Sequence, residues 1–145
     1  MTIANRMLVE RFYEAVGGEV TDSFSGERML ELSRLLEDQV TDDFECAMVG
    51  PMGAEVRPGL AGFAQAWRDW VSPYTSFSVE IEQLLESGEA VLMGVRQRGV
   101  TRHDGVPIET SSGSVWRFRD GLLCRAEFYL ERDAAFEAVG LDPGS

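Results

Sequence analysis

The sequence predicts an α+β fold, and three observations carry that prediction. Apolar residues recur at helical spacing through the first third, the period drops to two from Thr75 onward, and 145 residues make one domain. Met7, Leu8, Phe12, Ala15 and Val16 define a first helix, stopped at Gly17-Gly18. A second spans Glu27 to Glu37, with Met29, Leu32, Leu35 and Leu36 as its apolar stripe, Ser25 as N-cap and Glu27 in its first turn. Phe44 to Val49 reads as a strand leading into the turn Gly50-Pro51-Met52-Gly53. Pro58-Gly59 opens a third helix to about Val71, because proline suits an early helical position and Pro73 forbids continuation. On it, Leu60, Phe63, Trp67 and Trp70 share a face expected to be core on one side and pocket wall on the other.

Four long strands follow. Phe77, Val79 and Ile81 alternate with Ser78, Glu80 and Glu82, and Met93, Val95 and Gln97 with Gly94, Arg96 and Arg98. Ser112, Ser114, Trp116 and Phe118 alternate with Val115, Arg117 and Arg119; Cys124, Ala126, Phe128 and Leu130 alternate with Arg125, Glu127, Tyr129 and Glu131. One wetter face on each strand predicts an antiparallel sheet covered on one side only. Three-residue loops at Glu86-Ser87-Gly88 and Arg119-Asp120-Gly121 keep the faces consistent: Leu85 faces Glu89, Trp116 pairs with Cys124, and Ser112 pairs with Phe128. A two-residue Asp-Gly turn is the alternative at the second site. Asp133 is the expected N-cap of a short closing helix, Ala134 to Val139, which stops at Gly140.

Composition narrows function. All 13 basic residues are arginine, which removes Schiff-base chemistry, a phosphate-loop lysine and a lysine base. His103 is the single histidine, so two-histidine metal sites are excluded, and no motif calls for a cofactor. A net charge of −12 opposes binding to nucleic acid or an anionic membrane. Charges at Arg6, Glu10, Arg11 and Glu14 break any signal-peptide run, and no stretch is long enough to span a membrane. Cys46 and Cys124, widely spaced, read as reduced, buried thiols of a cytoplasmic protein.

The segment VWRFRDGLLCRAEFYLERDAAFEAVGL (Val115 to Leu141) resembles the SnoaL-like branch of the nuclear-transport-factor-2-like superfamily. LLEDQVTDDFECAMVGPMGAEVRPGLAGFAQAWRDWV fits the same branch, with its Asp-Asp pair, glycine-rich loop and arginine and glycine before the third helix. The resemblance implies a conical α+β barrel, in which a curved antiparallel sheet wraps N-terminal helices around a mostly apolar pocket. It also implies dimers paired through the outer sheet face. It does not specify an activity, since one scaffold hosts unrelated chemistries. Ketosteroid isomerases of this fold use a first-helix tyrosine and a first-strand aspartate; Phe12 and Met48 stand at those positions. Epoxide hydrolases use an arginine and an aspartate two residues apart, where this chain has Val95 and Gln97, and a last-strand aspartate, where it has Phe128. Phe12, Met48, Val95 and Phe128 supply no acid, base or oxyanion donor, so no catalytic residue is named.

The inward polar inventory is Gln97, Thr110, Ser112, Ser114 and the two cysteines. Gln97 either anchors a ligand oxygen or is a buried amide satisfied by its neighbours. Ser112 and Ser114 lack an activating histidine in the sequence around them. His103, beside Asp104, is either a solvated hairpin tip or a pocket-mouth acid or base. Asp42 and Asp43 serve the entry to the first strand, while Arg57 either holds that loop to a carboxylate or clamps an anion at the rim. The outer face carries Glu80, Glu82, Arg96, Arg98, Arg117, Arg125 and Glu127 with Val115, Leu123 and Tyr129, a surface suited to a two-fold homodimer. The expected function is binding of a small hydrophobic molecule in a pocket lined by Phe12, Met48, Trp67, Met93, Val95, Gln97, Ser112, Ser114, Trp116 and Phe128. The alternatives are an isomerase, cyclase or epoxide hydrolase acting by acid–base chemistry, and a non-catalytic dimerisation or partner-binding module.

Overall fold

A computed structural model describes residues 2–16 and 34–141, apart from the side chains at 2–4, 13, 15 and 16. The expected stop at Gly17-Gly18, the N-cap Ser25 and the second helix up to residue 33 lie outside the described residues; residues 34–37 are helical. The elements are α1 (Thr2–Val16), β1 (Val40–Gly50), β2 (Gly53–Pro58), α2 (Gly59–Val71), β3 (Tyr74–Ser87), β4 (Ala90–Thr101), β5 (Pro107–Arg119), β6 (Leu122–Tyr129) and α3 (Arg132–Ala138). The class is α+β, as the residue pattern predicts.

The strands form one sheet in the order β2-β1-β6-β5-β4-β3. α2 carries the chain from β2 at one edge to β3 at the other, and the meander β3–β6 then returns to lie beside β1. That route makes β1 and β6 parallel, so the sheet is mixed and open where a wholly antiparallel one was expected. Alternation reports which face a residue takes, not the sense of its neighbour. β2 was expected as loop, since its residues are almost all exposed and show no buried face.

The two hairpins correct the loop lengths and keep the faces. Ser87 pairs with Ala90 and Arg119 with Leu122, so both turns hold two residues rather than three. Asp120 and Gly121 have φ of 55° and 83°, the left-handed pair such a turn requires. A register shift between Ile81 and Gln83, and another between Arg117 and Phe118, each insert one extra residue, Glu82 and Cys124. Leu85 pairs with Leu92 rather than Glu89, Glu80 with Arg96, Trp116 with Ala126 rather than Cys124, and Phe128 with Ser114 rather than Ser112. The bulge also turns Leu123 into the core, where the sequence placed it outside, and leaves Cys124 half-buried with Sγ donating to the Arg117 carbonyl at 3.4 Å.

The concave face carries the main core, built on Phe12, Phe63, Trp67, Trp116 and Phe128. Their rings meet at angles, with Phe12–Phe63 centroids 5.3 Å apart and Trp67–Phe128 also 5.3 Å apart. The convex face is not bare as expected. α3 lies on it and buries Leu92 and Val115 beneath Ala135 and Phe136. Gly113 makes that approach possible, because a Cβ there would stand 2.7 Å from the Ala135 Cβ. Glu131, not Asp133, occupies the N-cap position of α3, and its side chain makes no capping hydrogen bond. No helix among the described residues is long and apolar enough to cross a membrane.

Candidate functional site

One cavity opens at the concave face between α2 and strands β1, β3, β4, β5 and β6. Met48, Trp67, Trp70, Val79, Val95, Gln97, Ser112, Gly113, Ser114, Phe128 and Tyr129 line it. Seven residues named from sequence are therefore brought together: Met48, Trp67, Val95, Gln97, Ser112, Ser114 and Phe128. Phe12, Met93 and Trp116 are not on its wall; they lie fully buried in the packed core, Phe12 and Trp116 with their rings 5.5 Å apart. Trp70 was legible as the wetter end of the α2 aromatic stripe. Val79 follows from the parity of β3. Gly113 and Tyr129 belong to the outer parity and had no signal as cavity residues.

The enclosed space is about 10 Å³, room for roughly one water. Its polar spot is Ser112 with Gln97. Val95 is the direct partner of Ser112 across β4 and β5, and Thr110 is that of Gln97, so Gln97 and Ser112 are diagonal neighbours on one face. Ser112 is 2% exposed, and its Oγ has no hydrogen-bond partner among the described residues. Ser114 is engaged, accepting from Trp116 Nε1 at 2.9 Å. Thr110 is exposed rather than inward, because β5 at that point runs beyond the core.

Among the described residues, the wall carries no carboxylate, histidine or arginine side chain. The Tyr129 phenol donates to Glu127 Oε1 at 3.0 Å on the convex face, and burial first, then the Glu127 charge, push it up to about 12. Cys46 lies in the core beside the site, its thiol pushed up to about 12 by burial. His103 sits exposed in the turn between β4 and β5, and it is not on the cavity wall. Arg57 bridges Glu55 at 2.9 Å and Asp69 at 2.7 Å, tying β2 to α2, whereas Asp43 belongs to β1 and bridges Arg119 at 2.6 Å. What this arrangement presents is a nearly filled apolar hollow with one hydroxyl, Ser112, and one amide, Gln97, on its wall.

The geometry, a curved open sheet with helices in its hollow, defines the nuclear-transport-factor-2-like class. The SnoaL-like domain family matches residues 9–126, and the chain belongs to that family. Solved structures agree on the fold. A candidate SnoaL-like polyketide cyclase from Jannaschia sp. CCS1 superposes with a TM-score of 0.70 at 12% identity, over 94% of this chain and 92% of that one. A protein of ketosteroid isomerase-like fold from Catenulispora acidiphila DSM 44928, solved with trimethylamine, gives 0.59 at 13% identity over 92% and 95%. TerC, co-crystallised with polyporic acid, gives 0.62 at 17% identity over 98% and 99%. No curated protein is similar enough in sequence to count as a relative. The family supports a small-molecule-binding or isomerase- or cyclase-type domain.

Proposed function

We propose that the cavity binds a small, neutral, largely apolar molecule through one oxygen held by Ser112 and Gln97. The observation that carries this reading is the buried Ser112 hydroxyl, which has no hydrogen-bond partner among the described residues. Such a group has an unused hydrogen bond to offer, and a ligand oxygen can take it up. A charged ligand is disfavoured, since no opposite charge among the described residues of the wall would offset its desolvation. An acid–base isomerase reading has less support, because the described residues of the wall include no carboxylate or histidine to exchange a proton.

At rest the space is too small for such a ligand, so side chains yield on binding. Met48 and Trp70 are suited to do so. Both are half-buried, and both also border the open groove formed by Val49, Gly50, Met52 and Leu130. Methionine repacks at low cost. The test pairs 1-naphthol with naphthalene, followed through the fluorescence of the wall tryptophans. The expected result is about tenfold tighter binding of 1-naphthol, an advantage lost in Ser112→Ala while naphthalene is unaffected. Failure of both probes to bind, or an advantage that survives Ser112→Ala, overturns the reading.

The chain also fits a two-fold homodimer through the convex face beyond α3. Glu80, Glu82 and Glu109 are paired there with Arg96, Arg98 and Arg132, so the strip carries no net charge in a chain of net charge −12. A cytoplasmic setting accords with the free Cys46 and Cys124.

A further inference from the structure

The convex face directly behind the cavity holds a feature that packing of α3 does not require. Arg132, the first residue of α3, lays its guanidinium across three strands. Nη2 donates to the Val95 carbonyl of β4 at 2.7 Å and to Glu82 Oε1 of β3 at 2.7 Å. Nη1 donates to Gln83 Oε1 at 3.3 Å, and Nε to the Ser112 carbonyl of β5 at 3.4 Å. Val95 and Ser112 are the cross-strand pair whose side chains line the cavity on the other face. Room for the guanidinium comes from Gly94, where a Cβ would stand 3.3 Å from the Arg132 Cδ and Nε. The arginine is only 19% exposed, and its planar fork of five donors can hold several acceptors at once.

We infer that Arg132 is a positioning residue for the binding site: from the opposite face of the sheet it fixes the Val95–Ser112 pair, and so sets where the Ser112 hydroxyl meets a ligand. The inference rests on the cavity being the binding site. Through the same contact, the seating of α3 on the convex face and the polar spot of the cavity are one mechanical unit. A ligand never touches Arg132. Its effect passes through two backbone carbonyls to a hydroxyl one sheet thickness away.

Arg132→Gln and Arg132→Lys separate this role from simple stabilisation. With the 1-naphthol and naphthalene pair, Arg132→Gln is expected to shrink the naphthol advantage from about tenfold to about twofold while naphthalene binds as before. Arg132→Lys, which keeps the charge but not the fork, gives an intermediate ratio. A role confined to stability leaves the ratio unchanged, and that result overturns the inference. A ligand-free readout stands beside it. In Arg132→Gln, amide hydrogen exchange is expected to rise about tenfold in peptides covering β4 and β5 around Val95 and Ser112, with β1 and β2 unchanged. Uniform acceleration across the sheet, or none, overturns the inference. If neither probe binds the wild-type chain, the binding reading falls and exchange alone decides the clamp. If Arg132→Gln does not fold, Arg132→Lys carries both measurements.

Discussion

Glu127 is the one charged residue that is buried among the described residues. It is 6% exposed and accepts from Arg117 Nε at 3.0 Å, Arg125 Nε at 2.6 Å and the Tyr129 hydroxyl at 3.0 Å. Arg125 also pairs with Glu45, and Arg117 reaches the Ala138 carbonyl of α3 at 3.2 Å. Burial alone would raise the Glu127 carboxyl, but the hydrogen bonds from Arg117 and Arg125 outweigh it and hold it below the usual carboxylate value. A depressed folded-state value means the stabilisation is present above the unfolded-state value, near 4.5, and is lost as the pH falls through the folded-state one. Glu127→Gln is therefore expected to lose about 1–3 kcal/mol at pH 7 and to flatten the acid limb of stability. Urea midpoints between about pH 3 and 7 check both. Part of this scale was legible. Parity placed Met48, Val95, Gln97, Ser112 and Phe128 inside, and on β6 a one-residue slip would have carried Arg125 and Glu127 into the core. Arg132 was not legible. No periodicity marks a charged residue after the last strand as one that reaches back under three others.

Among the elements, the hairpins explain how loop lengths could be misjudged while the faces were read correctly. A two-residue turn followed by one bulge shifts the pairing as a longer loop would, and both preserve which side chains face inward. Hydrophobic alternation records only that sum. The bulge residues Glu82 and Cys124 have no signature of their own, and the parallel partnership of β1 with β6 is equally silent. α3 was read as a closing helix, yet its seat was missed, although Leu92, Gly94, Gly113 and Val115 already spell an apolar, shallow patch on the outer parity. That seat makes a sharp prediction. Gly113→Ala drives a methyl against the Ala135 Cβ and is expected to destabilise by about 1–3 kcal/mol. Adding Ala135→Gly recovers part of the loss despite the weaker helix propensity, and a double-mutant cycle from denaturant unfolding measures the coupling.

At the scale of the molecule, an excess of negative charge meets a neutral strip on the convex face. If copies pair there, light scattering after size-exclusion chromatography returns twice the chain mass of 16.1 kDa. Arg98→Glu, which replaces the cation bridging Glu80 and Glu109 with a third carboxylate, shifts the population to monomer. A wild-type chain that stays monomeric at every concentration removes the dimer. The nearly filled hollow has a kinetic consequence as well. If a compound binds there, it enters a space fit for one water, so the Met48 and Trp70 side chains must move before or during capture. Adding more compound then quickens uptake only until that movement becomes the slow step.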